Sequence, residues 1–142
     1  MCYRPVRDVD LQKKKLNVAR ALSLAHGLTS TVTSLNLEGT GFGNSIDGVK
    51  ALASFLRDEL CRVAEMNLCD CAFGPESVIV LGEALKVNTA LMELNVRGNN
   101  VKAEGGKAIG EALKVNKTLT ELNLVDNTLE AEAGKAISEA LK

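Results

Sequence analysis

The 142-residue sequence predicts an α/β solenoid: a short horseshoe segment with a parallel sheet on its concave side, helices on its convex side and right-handed crossovers between them. Three observations carry that expectation. The stretch LMELNVRGNNVKAEGGKAIGEALKVNKT, from Leu91 to Thr118, returns 28 residues later from Leu119 and stands 28 residues earlier from Val63. Each copy opens with alternating apolar residues and closes with an apolar stripe at helical spacing. Small residues recur on that stripe, where neighbouring helices of a stack must approach each other.

The repeats divide the chain into 32–62, 63–90, 91–118 and 119–142, with an N-terminal segment and capping helix over 1–31, all in one domain. Every repeat begins with the spacing L-x-x-L-x-L-x-x-N, as in Leu91, Leu94, Val96 and Asn99, or Leu119, Leu122, Leu124 and Asn127. Alternation at Leu94 and Val96 sends two side chains to a buried face and leaves Glu93, Asn95 and Arg97 on the other. The second half is helical: Ala108, Ile109, Ala112 and Leu113 form one stripe. Pro75 marks a helix start, where its missing N–H is tolerated. Asn88 and Asn116, just past the Ala-Leu-Lys-Val runs, stand where a left-handed residue closes a helix. A helix is about 10 Å wide and strands lie ~4.8 Å apart, so the helix row splays and the sheet takes the inside of the curve. Gly105, Gly106, Ala108 and Ala112, with Gly134, Ala136 and Ala140 one period on, moderate that splay.

Before the repeats, residues 11–27 read as a helix with an imperfect face of Leu16, Ala19, Leu22 and Leu24. Residues 1–10 hold at most a degenerate strand around Val6 and Val9. His26 is expected at the end of that helix, as an end residue and not a ligand. The repeat from Val32 is three residues longer than the others, and its insertion, Gly41 to Ser45, is expected to bulge outward while Phe42 packs as Phe73, Val101 and Leu129 do.

The run LxxLNLxxN followed by an Ala-Leu-Lys helix resembles the leucine-rich repeats of the ribonuclease-inhibitor subfamily, over about Val18 to Lys142. That resemblance implies an Asn or Cys at the ninth consensus position, bonding backbone groups in the turn after the strand. Asn99, Asn127 and Cys71 fit; Thr40 departs, which implies a looser corner there. Similar repeats occur in intracellular ribonuclease inhibitors, nucleotide-binding immune receptors, Ran GTPase activators and tropomodulin-like actin cappers. The implied role is a protein-interaction module and not an enzyme. Its alternatives are an accessory GTPase activator using Arg97 or Asn100, an actin-regulator-like repeat domain, or an architectural spacer in a longer array.

Three columns of outward strand positions are the candidate partner-binding residues. The first is Ser34, Glu65, Glu93 and Glu121; the second Asn36, Asn67, Asn95 and Asn123; the third Glu38, Cys69, Arg97 and Val125. Stacked asparagines are expected to form an amide ladder, each donating to the next. Stacked glutamates repel at ~5 Å, so the first column is either solvated or matched by a basic partner.

Composition narrows the rest. Aromatic residues make up 3% with no Trp, and the formal net charge is −1, which argues against a nucleic-acid platform. No apolar run reaches the ~20 residues that span a bilayer, and no secretory signal is visible at the N-terminus. Four cysteines without dense regular spacing point to a reducing, cytoplasmic setting. Cys61, Cys69 and Cys71 do not match zinc-ligand spacing, and Cys69 is expected to be exposed. No cofactor or metal is expected. Basic residues gather in positions 1–20 and acidic ones in 119–142, and the strand from Thr120 to Leu124 is expected to be an open edge, so that the chain is either part of a longer protein or self-associates through its C-terminal end.

Overall fold

The computed structural model describes residues 7–28 and 30–141, excepting the side chains at 18, 19, 22 and 25. Five strands, β1 (Asp8–Asp10), β2 (Ser34–Asn36), β3 (Glu65–Asn67), β4 (Glu93–Asn95) and β5 (Glu121–Asn123), alternate with five α-helices. The helices are α1 (Val18–Gly27), α2 (Ile46–Arg57), α3 (Pro75–Leu85), α4 (Lys102–Val115) and α5 (Ala131–Ala140). All strands are parallel and lie in sequence order, so each helix is a crossover between adjacent strands. This is the solenoid the periodicity predicts.

Burial follows the alternation. Leu35, Met66 and Leu94, the middle residues of β2, β3 and β4, are buried, as are Leu37, Leu68 and Val96 two positions on. They meet Val49, Leu52, Leu56, Val78, Leu81, Ile109 and Ala112 from the helices in one aliphatic layer. The rings of Phe42 and Phe73 stack with centroids 6.4 Å apart. Helix spacing rests on small residues: a Cβ on Gly106 would run into the Ala133 methyl, and one on Gly110 would lie 2.9 Å from the Ala136 carbonyl carbon. Gly134, on the last helix, faces open space instead.

Several local expectations need correction. The first helix begins at Val18, because residues 11–17 form the turn of a leading repeat. Leu11, Lys13 and Leu16 N–H groups donate to the carbonyls of Asn36, Glu38 and Thr40, and the Asn17 side chain caps the helix by accepting from Arg20 N–H at 2.9 Å. Val9 lies in register with Leu35, so the N-terminal strand is real; Val6 lies outside the described residues. His26 sits exposed in the last turn of α1.

The insertion does not bulge outward. Residues Phe42–Asn44 form a 3-10 turn pressed against the next repeat, with Gly43 N–H donating to Cys71 O and Ser77 Oγ donating to Gly43 O. Ser45 then caps α2 by accepting from Gly48 N–H. Thr40, 2% exposed, makes no loose corner: its hydroxyl donates to Leu37 O at 2.6 Å and accepts from Phe42 N–H.

Asn88 and Asn116 are not left-handed closers either. Their amides clamp successive repeats, Asn88 Nδ2 donating to Leu56 O and Asn116 Nδ2 to Leu85 O, both at 2.7 Å. Each Oδ1 accepts from two N–H groups of its own turn, Ala90 and Leu91 or Thr118 and Leu119. Left-handed residues recur instead after each strand, at Lys13, Gly39, Asp70, Gly98 and Asp126, with three more at Gly41, Ala72 and Lys102.

Candidate functional site

Each strand is only three residues long, so it presents one inward side chain and two outward ones. The registers Ser34–Glu65–Glu93–Glu121 and Asn36–Asn67–Asn95–Asn123 bring the first two predicted columns together. These eight residues line a single groove along the open face of the sheet. β1 lengthens both columns with residues the sequence reading missed, since Asp8 pairs with Ser34 and Asp10 with Asn36. The alternation Asp-Val-Asp about Val9 was the available signal.

The first column is charged and open. Glu65, Glu93 and Glu121 are exposed, and none takes part in the ion pairs found among the described residues. Neighbouring carboxylates therefore stand side by side at strand spacing, where like charges destabilise the pair.

The asparagine column does not form an amide ladder. The Oδ1 atoms of Asn36, Asn67, Asn95 and Asn123 accept from the N–H groups of Glu38, Cys69, Arg97 and Val125, at 3.0–3.1 Å. Asp10 does the same with Gln12 N–H. Each side chain thus folds along its own strand and satisfies a backbone donor two residues on, the Asx-turn preference of these residue types. The one amide bond across the column sequence is Asn67 Nδ2 to Glu38 Oε2, at 3.0 Å.

The third column leaves the strands and enters the turns, so its members diverge. Glu38 is half-buried under that Asn67 bond. Cys69 is a correction: it is 8% exposed, not open, because Asp70 folds beside it and accepts from its thiol. Burial, reinforced by the Asp70 hydrogen bond and charge, pushes the Cys69 thiol up to about 11. Arg97 is exposed, with Nε donating to Asp126 Oδ2 at 2.8 Å across one repeat. Val125 is 58% exposed on the last repeat. Gly98, left-handed at φ 69°, has no room for a side chain because Asp70's carboxylate occupies the space.

Below the groove runs a second set of bonds. Asn99 Nδ2 donates to Leu68 O and Val96 O, both at 2.8 Å, while its Oδ1 accepts from the N–H groups of Cys71 and Phe73. Asn127 repeats the pattern one period on with Val96 O and Leu124 O, and the Cys71 thiol donates to Leu37 O. These bonds fix the turns that carry the third column.

Among the described residues no three His, Cys, Asp or Glu side chains are grouped to hold a metal, and Cys61, Cys69 and Cys71 are free thiols. The rim residue Asn100 accepts from the Thr128 hydroxyl. No described helix is long and apolar enough to cross a membrane.

Residues 87–110 and 115–138 match the sequence profile of the Leucine Rich repeat. The chain is 32% identical over 97 residues to NACHT, LRR and PYD domains-containing protein 12 of Mus musculus, covering 68% of this chain and 9% of that protein. It is 31% identical over 78 residues to NACHT, LRR and PYD domains-containing protein 14 of the same species, covering 55% of this chain and 8% of that protein. It thus spans less than a tenth of the length of either relative. Repeats of this class generally mediate protein–protein interaction and are typically non-enzymatic. Periodicity, parallel order and profile match converge: the chain is a leucine-rich-repeat solenoid.

Proposed function

We propose that the chain is a protein-interaction module whose open sheet face takes a peptide-sized, basic segment of a partner protein. The supporting observation is the register Glu65–Glu93–Glu121, three exposed carboxylates without an ion-pair partner among the described residues. A lysine- or arginine-rich strand of the partner relieves their mutual repulsion on binding. The twelve candidate positions, Ser34 to Val125, fall short of the roughly 20–30 residues a side of a standard interface, which favours a short segment held with help from the rim turns.

The same reading treats residues 32–142 as four repeats of the ribonuclease-inhibitor-like type, forming one unit with the leading strand and helix. A reducing, cytoplasmic setting suits it, because the described cysteines are unpaired and two of them, Cys61 and Cys71, are shielded inside the core.

Titration of a fluorescent oligolysine peptide into the full chain tests the proposal. Glu93→Lys is expected to weaken binding about ten-fold while leaving the melting temperature unchanged or raised. Binding indifferent to Glu93→Lys rules the acidic column out as the contact. A collapse in melting temperature makes the carboxylates structural.

A further inference from the structure

The run Ala84-Leu85-Lys86-Val87-Asn88 recurs one period on as Ala112-Leu113-Lys114-Val115-Asn116. Four of its five residues have a task in the fold. Ala84, Leu85 and Ala112 are buried, and Leu113 packs against the same core. Lys86 and Lys114 pair with Glu83 and Glu111 at 2.7 and 2.8 Å, and the two asparagines clamp successive repeats. The valines have none: Val87 is 58% exposed and Val115 54%. A β-branched residue is a poor helix former and an exposed one adds nothing to the core, so neither local structure nor packing accounts for them.

They do not stand alone. Leu60, 61% exposed, occupies the preceding turn, and Met92, 50% exposed, comes one residue before Glu93. The clamps join these turns: Asn88 Nδ2 donates to Leu56 O and Cys61 Sγ, and Asn116 Nδ2 donates to Leu85 O and Asn88 O. Leu60, Val87 and Val115 therefore ride on three consecutive turns, each bonded to the next. Every one of these turns has a strand-and-helix unit on either side, so the exposure belongs to the interior of the stack.

The same turns lead into β3, β4 and β5, whose first residues are Glu65, Glu93 and Glu121. An apolar ledge thus borders the acidic column along the edge where the strands begin. Charged neighbours on the ledge come in both signs, Arg57, Arg62 and Lys117 against Asp58 and Glu59, all exposed. The ledge itself selects apolar contact, while the column beside it selects positive charge. An extended chain offers both at once, because its alternate side chains point to opposite sides.

We propose that the ledge is the second half of the partner site. The segment that seats lysine or arginine on Glu65, Glu93 and Glu121 alternates them with leucine, isoleucine or valine, which cover Leu60, Val87, Met92 and Val115. This rests on the acidic-groove reading and adds the apolar side of its ligand. Three glutamates on adjacent strands span about 10 Å, so a five-residue segment, roughly 16 Å when extended, reaches past all of them.

Two fluorescent peptides of equal charge, Lys-Leu-Lys-Leu-Lys and Lys-Ser-Lys-Ser-Lys, are titrated into the full chain. The leucine peptide is expected to bind about ten-fold tighter. Val87→Ser combined with Val115→Ser should abolish that gain. The serine peptide's affinity and the melting temperature should stay unchanged, since both valines are exposed. Glu93→Lys should weaken both peptides alike. Equal affinity of the two peptides, or a leucine gain that survives the valine substitutions, overturns the ledge and leaves the groove reading in place. Binding of both peptides that ignores Glu93→Lys overturns the groove reading and the ledge with it.

Discussion

Repeats three and four (91–118 and 119–142) carry nearly the same residues in very different surroundings. Both place Leu at the first and second consensus positions, both have an aliphatic third, and both put Asn at the ninth. In the third repeat Leu91, Leu94, Val96 and Val101 are 0–2% exposed. In the fourth, Leu119, Leu122, Leu124 and Leu129 are only half-buried, and the corner amide makes longer bonds. Nothing inside the fourth repeat explains the difference. Among the described residues the third repeat packs between two neighbours and the fourth against one, so stability in this stack is a property of junctions between repeats more than of repeats themselves.

Truncating the same side chain in both places measures that junction. Leu94→Ala removes a fully enclosed side chain and leaves a cavity between β3 and β5, expected to cost about 3–5 kcal/mol in urea unfolding. Leu122→Ala starts from a side chain that water already reaches on one side, so its cost should be roughly 1–2 kcal/mol. Equal costs would break the comparison and show that the open flank is as well packed as the interior.

The corner asparagines give a smaller version of the test. Asn99→Ala leaves the Cys71 and Phe73 N–H groups and the Leu68 carbonyl without their side-chain partner in a buried turn, while Val96 O keeps Asn127 Nδ2, for about 2–3 kcal/mol. Asn127→Ala, half-buried and bonded to Val101 N–H at 3.3 Å, should lose about 1 kcal/mol. Asn99→Cys should fall between the parent and Asn99→Ala, since Cys71 holds the same consensus place with a thiol that donates to Leu37 O. A cysteine as costly as alanine would show that the corner depends on the amide's second bonding arm and not on the bridge to the preceding repeat.

The sequence made the architecture legible because burial writes itself as period: Leu94 and Val96 alternate, Ile109 and Ala112 recur, and Gly106 with Gly110 leaves room for the next helix. The two outward columns followed from the same alternation. Polar detail was less readable, since a period says which face a side chain takes and not which atoms it bonds. Asn36, Asn67, Asn95 and Asn123 were placed on the correct face, but their preference for the backbone two residues on defeats the ladder their stacking implied. Asn88 and Asn116 were read as conformational stops when they are clamps between repeats. Cys69 was hidden by the left-handed turn at Asp70, and the leading repeat by a lysine-rich turn that looked like the start of a helix.

The smallest effect to measure comes from the thiols of Cys61, Cys69 and Cys71, which lie in the inner part of the stack and have no equivalent in the last repeat. Cys69 sits at about 11 against an ordinary 9.0, chiefly through burial, and Cys61 and Cys71 are raised for the same reason. A thiol raised in the folded state holds its proton after the unfolded chain has released one. Its contribution is therefore complete below pH 9 and is lost as pH climbs through about 11. Cys69→Ala removes that dependence at one site while leaving the lysines and other ionisable groups common to both chains. Its stability relative to the parent should hold steady to about pH 9 and then improve toward pH 11. Because the site belongs to the interior, the change should register in the main unfolding transition and not in early fraying of residues 119–141. If fraying of the last repeat alone carried the alkaline loss, the inner repeats would not be the cooperative core that their burial implies.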